Sequence, residues 1–194
     1  MAAPQSDAIK ELIEKAKIMN FSAWRPGHPP ESIALFQAAD DEKRYLSDAD
    51  LETMARLAPK KAGLMAIAQL LRDQAQDIVD EARAEVLNHF PGLTEPNGRL
   101  YPPERAEACW RDFWHFLRSI TYGIAGGIPE YTSQLGLHFL EALYHELRVP
   151  LDAMVLGLEN IKSASLQRLE ADQKAQVAPY FDHLIRQMQH FHED

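Results

Sequence analysis

The chain has 194 residues, of which 46% are hydrophobic and 25% charged, and a formal net charge of −9. That length suits one domain with a sizeable core, and the composition excludes a disordered chain. The acidic balance argues against a nucleic-acid partner, because phosphates require a basic surface. No apolar run approaches the roughly 18 residues needed to span a bilayer. The stretch Met1 to Asp7 lacks the basic and apolar regions of a signal peptide, and the single cysteine, Cys109, makes no internal disulfide. Together these features predict a cytoplasmic protein.

Strand signals are nearly absent, and helical spacing dominates. Ile9, Leu12, Ile13, Ala16 and Ile18 predict an amphipathic helix over Asp7 to Met19. The proline-rich run from Trp24 to Pro30 predicts a break and the chain's best linker. A short helix is expected over Glu31 to Ala38. Ser47 reads as an N-cap, with Asp50 at the capping-box position of a helix over Asp48 to Leu57. A stripe from Leu64 to Val86 predicts one long helix over Lys61 to His89, ended by Phe90-Pro91-Gly92. After a proline-containing loop, a helix over Glu104 to Ile124 carries Cys109 and stops at Gly126-Gly127-Ile128-Pro129. Further helices are expected over Tyr131 to Leu147, Leu151 to Ile161 and Leu166 to His192, the last with Asp172 and Pro179 as candidate breaks. Seven or more helices with short breaks imply an all-α bundle.

Cys109 has two readings. A free cysteine commonly packs as a small hydrophobe. Helical spacing offers the other: Cys109, Asp112 and Phe113 share a face, and Arg105 lies four residues before the thiol on the same side. Arg111 falls about 200° around the helix from Cys109, yet its long side chain reaches along the axis. A nearby cation lowers a thiol pKa. This set suits a flat conjugated ligand with acidic arms: the thiol tethers it, the arginines bind its arms and Asp112 accepts from ring N–H groups. A cysteine hydrolase needs a positioned base, and His115 is expected on the other side of the helix. His138, Glu141 and His145 share a face, and His183, His190 and His192 cluster near the C-terminus, but the Glu-x-x-His pairs of carboxylate-bridged metal bundles are missing. Solvated helix faces account for these histidines, so no metal is expected. Trp110 and Trp114, at i and i+4, suit core packing as well as a ligand.

Several motifs resemble the phycobiliproteins. Cys109-Trp110-Arg111-Asp112, followed by Phe116-Leu117-Arg118 and Thr121-Tyr122, resembles that family's bilin-attachment helix. Ala39 to Ser47 is similar to the entry into its first globin-type helix, and Pro96 to Tyr101 to the loop before the attachment helix. Leu140 to Pro150 resembles the segment ending in a proline break, and Pro179 to Leu184 an allophycocyanin- or core-linker-like C-terminal helix. The resemblance runs from about Asp40 to the end. It implies a globin-like all-α fold with an N-terminal helical hairpin, divided into an extension and linker over 1–30 and a phycobiliprotein-like domain over 31–194. It implies a phycocyanobilin-type linear tetrapyrrole joined to Cys109 by a thioether. Asp112 would hold the central pyrrole nitrogens, and Arg111 and Arg105 the propionates. Asp40, Tyr45, Arg118 and Tyr122 match positions used between partner subunits.

The resemblance further implies a light-harvesting or energy-transfer role without enzymatic activity, at the cytoplasmic face of a thylakoid membrane. The implied partners are a second copy or a phycobiliprotein subunit, phycobilisome core or linker proteins, and a bilin lyase. Departures are Ile128 where the family has aspartate, His115 in place of the first aromatic of its tyrosine pair, Arg99 at the modified-asparagine position and the additional helix at Asp7 to Met19. The intact Cys-x-Arg-Asp favours a pigment; the bulky tryptophans and altered loop favour a pigment-free adaptor acting through protein contacts. A globin-fold sensor with another cofactor is a third reading.

Overall fold

A computed structural model describes residues 7–191; His192 and the Met1 to Ser6 part of the tested signal region lie outside them. Nine α-helices occur among the described residues: α1 (Asp7–Lys15), α2 (Pro30–Asp41), α3 (Asp48–Leu57), α4 (Ala62–Asp73), α5 (Ala75–His89), α6 (Pro103–Gly126), α7 (Gln134–Leu147), α8 (Leu151–Gln167) and α9 (Ala171–Gln189). Two 3-10 turns lie between them, and the one β contact among the described residues is an isolated bridge between Met19 and Thr132. The all-α class follows directly from the spacing of apolar residues. No described helix is long and apolar enough to cross a membrane.

Helix α6 is the axis. From Phe116 to Gly126 every residue is buried, and α4, α5, α8 and α9 pack around it. Pro103 opens it where a missing N–H costs no bond. Gly127 closes it at φ 65, and the Ile128 N–H returns to the Gly123 carbonyl at 3.0 Å, a Schellman ending that favours glycine. Two glycines admit close neighbours: a Cβ on Gly157 of α8 would overlap the Phe113 ring, and one on Gly136 of α7 would overlap the Lys17 carbonyl.

The Ser47–Asp50 capping box forms as expected, with Ser47 N–H donating to Asp50 Oδ2 at 2.8 Å. Other boundaries differ. The predicted helix over 61–89 is two helices, broken at Gln74. Its apolar stripe steps from Leu71 to Ala75 without interruption, so periodicity hides the break; α4 turns toward α6 whereas α5 turns toward α8. Leu166 belongs to α8, and α9 begins at a second capping box between Glu170 and Gln173. Pro179 sits inside α9 without ending it, because Tyr180, Phe181 and Leu184 are buried beyond it. Tyr131 precedes α7: it is buried outside any helix, its hydroxyl donating to the Tyr180 carbonyl at 3.3 Å.

The N-terminal segment lies on the body. Helix α1 ends at Lys15, and Ile18 and Met19 run extended, with Ser133 N–H donating to Ile18 O at 2.7 Å. The expected proline-rich linker is a 3-10 turn from Phe21 to Gly27. It is docked rather than loose, because Phe21 and Trp24 join Phe36 and Tyr122 in a buried aromatic cluster. His28 fixes the end of this segment, its Nε2 lying 2.7 Å from the Gly126 carbonyl.

Candidate functional site

Beside α6 lies a cleft of about 870 Å³. Taking about 100° per residue, Arg111, Glu104, His115, Ala108, Asp112, Arg105 and Cys109 follow one another over an arc of about 160°. All seven line the cleft. Leu143, Tyr144, Leu147 and Val149 of α7 and its exit form the facing apolar wall, Leu100 and Pro102 close one side, and Lys43 and Ile13 complete the rim. Cys109, Asp112, Arg105 and Arg111 are thus brought to one cavity. Cys109 stands at the arc's core edge; Phe113, about 40° further on, leaves the cleft and packs at Gly157.

Burial decides the chemistry of the thiol. Only 5% exposed, Cys109 has its pKa raised to about 12, by desolvation first and by Asp112 second, against the lowering pull of Arg105. The expected depression of the thiol pKa therefore fails: Arg105 is near, but removing water costs the thiolate more than one cation returns. Arg105 is also partly committed, its Nη2 donating to the Leu147 and Arg148 carbonyls at 2.9 and 3.1 Å and capping α7.

Asp112 accepts from the Tyr144 hydroxyl at 2.9 Å. Burial raises its pKa to about 6 despite that bond and the attraction of Arg111. Tyr144 itself is pushed well above the ordinary tyrosine range by burial and by Asp112, so it stays a donor. His115 lines the cleft, contrary to its expected position, because the cleft spans an arc of α6 instead of one face. Burial, followed by Arg118, Lys43 and Arg111, lowers its pKa to about 4, and its Nδ1 is buried without a hydrogen-bond partner. Sequence spacing on α6 signalled neither Lys43 nor Tyr144. Lys43 takes its place from a left-handed turn after α2, at φ 54, and Tyr144 from the packing of α7.

Asp40, Tyr45, Arg118 and Tyr122 come together inside the chain. Arg118 Nη1 donates to Asp40 Oδ1 at 2.9 Å and to the Tyr122 hydroxyl at 2.8 Å. Tyr122 donates onward to the Arg44 carbonyl, and Tyr45 to the Trp114 carbonyl at 3.1 Å. Arg118 is 7% and Tyr122 0% exposed. Neither tryptophan enters the cleft: Trp110 packs on Phe113 beneath the Arg83 guanidinium, and Trp114 meets Tyr45 edge to face. His183 lies 2.7 Å from the Thr132 hydroxyl, and no group of three His, Cys, Asp or Glu suited to a metal occurs among the described residues.

Residues 34–188 match the family described as phycobilisome protein. The allophycocyanin alpha-B chain of a Synechococcus species is 35% identical over 151 residues, covering 78% of this chain and 93% of that relative. The allophycocyanin alpha chain of Cyanophora paradoxa is 32% identical over 78% of this chain and 94% of its own length. An allophycocyanin subunit alpha-B of a Nostoc species is 33% identical, with 77% and 93% covered. This chain belongs to the phycobilisome protein family.

Proposed function

We propose that this chain carries a linear tetrapyrrole on Cys109 and serves light harvesting or excitation transfer in or near the phycobilisome, as a pigment protein and not as an enzyme. The observation that carries the reading is the cleft itself, which gathers the chain's single thiol, the part-buried Asp112 carboxylate and the cations Lys43, Arg105 and Arg111 opposite an apolar wall. Its volume falls within the several-hundred-Å³ range of small-molecule sites, and the unpartnered His115 Nδ1 is a buried polar atom that a ligand would satisfy.

The bound group supplies visible absorption; the protein supplies rigidity. Cys109 would hold it by a thioether. Asp112, fixed by Tyr144, would accept from its ring N–H groups, which favour the ionised carboxylate. Arg111 and the remaining donors of Arg105 would bind acidic arms. The buried neutral thiol is a poor nucleophile, which supports a lyase as the attaching partner. Asp40, Tyr45, Arg118 and Tyr122 would act on subunit contact by holding α2 and the turn after it in place. A second copy or a phycobiliprotein subunit, with core or linker proteins beyond, would meet that surface at the cytoplasmic face of a thylakoid membrane. Residues 31–194 would form the pigment-bearing unit and residues 1–30 its extension.

Co-expression with a bilin-synthesis pathway and several lyases tests this. A coloured chain with zinc-enhanced fluorescence on a denaturing gel is expected, lost in Cys109→Ala. Asp112→Ala should keep the attachment but broaden or shift the absorption. A colourless chain under every lyase overturns the proposal, and covalent pigment in Cys109→Ala overturns the site. The high thiol pKa also favours a second reading, a pigment-free adaptor, for which the colourless outcome is the expected one.

A further inference from the structure

Helix α1 lies outside the family-matched span, which begins at residue 34. The relatives are matched over 93–94% of their own length, so they leave little chain for an arm of this kind. Three contacts fix its course. The Lys17 carbonyl presses on Gly136, where a Cβ would not fit. Lys15 Nζ lies 5.2 Å above the Phe139 ring. Ile13 shares the cleft with Leu143 and Leu147. As residue numbers fall along α1 they rise along α7, so the two helices pack antiparallel and α1 is led to the cleft mouth. Ile9 and Leu12, continued by Ala16 just past its end, form its packed stripe. Ile13 falls about 40° to one side of Ile9, at the stripe's edge, and is 43% exposed. An apolar side chain left half in water at the rim of a ligand cleft has surface to gain from a bound ring.

We infer that α1 is a fixed wall of the cleft and that Ile13 packs against the ligand held there, which on the reading above is the tetrapyrrole. The wall adds apolar contact opposite α6 and restricts motion of the bound rings, so it tunes emission more than attachment.

Two measurements on the full chain test this. Because Cys109 is the only native thiol and is buried, a Cys109→Ser background carrying Ile13→Cys and Leu147→Cys leaves one accessible pair across the cleft. A short bis-maleimide should bridge residues 13 and 147 within one chain, seen by mass spectrometry, and should bridge far less when Glu14→Cys replaces Ile13→Cys. Equal bridging from both positions, or none from residue 13, overturns the wall. In the pigment-loaded chain, Ile13→Asp should retain covalent pigment but lose fluorescence yield several-fold, with Ile13→Met restoring it. Unchanged emission in a folded Ile13→Asp protein overturns the contact with the ligand. A wild type that takes no pigment sinks the pigment reading and with it the proposed contact, while the bridging result decides the wall by itself.

Discussion

Replacing Asp112 with asparagine tests the electrostatics of the cleft. Burial raises this carboxyl from 3.8 to about 6, against the Tyr144 hydrogen bond and the attraction of Arg111. The gap corresponds to about 3 kcal/mol. Because the folded value is raised, the folded chain holds this proton more tightly than the unfolded chain does. Stability from the group is full below about pH 4, falls as pH rises and is lost above about pH 6. Asparagine keeps an oxygen to accept from Tyr144 and carries no charge. In the pigment-free chain, Asp112→Asn should therefore stabilise by about 3 kcal/mol near pH 7.5 and by only about 1 kcal/mol near pH 4.5. Urea unfolding followed by tryptophan fluorescence at both pH values measures the difference, provided the m-value is unchanged. A gap that does not change with pH, or destabilisation at the higher pH, refutes the reasoning. In the loaded chain, ring N–H groups that favour the carboxylate should shrink or reverse the gain at the higher pH.

The thiol raised to about 12 should react with iodoacetamide at a rate climbing about tenfold per pH unit from about pH 7 to 10; a plateau near pH 9 would show an ordinary, solvated thiol. Gly157→Ala should cost about 1–3 kcal/mol in urea unfolding, because a Cβ there drives into Phe113, whereas an unchanged midpoint would mean that α8 shifts freely. Asp40→Ala removes the carboxylate from a buried Arg118 and should cost about 3–5 kcal/mol. The double variant Asp40→Ala/Arg118→Met should recover part of that loss, and a double variant no more stable than the single would argue against an uncompensated charge.

Much of the fold was legible because helix formation is local. Ser47 and Asp50 sit within one turn, and Gly126-Gly127 followed by Pro129 stops a helix whatever surrounds it. The α4–α5 break was not legible, because Gln74 carries no breaker and the apolar stripe runs through it. Pro179 misleads in the other direction: the burial of Tyr180 and Phe181 outweighs the hydrogen bond it removes. On α6, spacing found Cys109, Asp112 and Arg105 because all three depend on one helix. Lys43, Tyr144 and Ile13 come from three other segments, and no spacing within α6 could signal them.

The sequence by itself determined the all-α class, the α6 motif and the candidate ligand set, since these rest on short-range periodicity and on residue types at fixed offsets. Tertiary structure alone decided the state of that set. Whether a thiol next to arginines is activated or suppressed depends on how much water the fold removes, and at Cys109 burial outweighs the nearby cation. Likewise, only packing decided that both tryptophans turn away from the cleft, that Arg118 is satisfied by Asp40 within the same chain, and that an N-terminal helix reaches the cleft rim. Each of these depends on contacts between segments far apart in the chain, which local spacing does not encode.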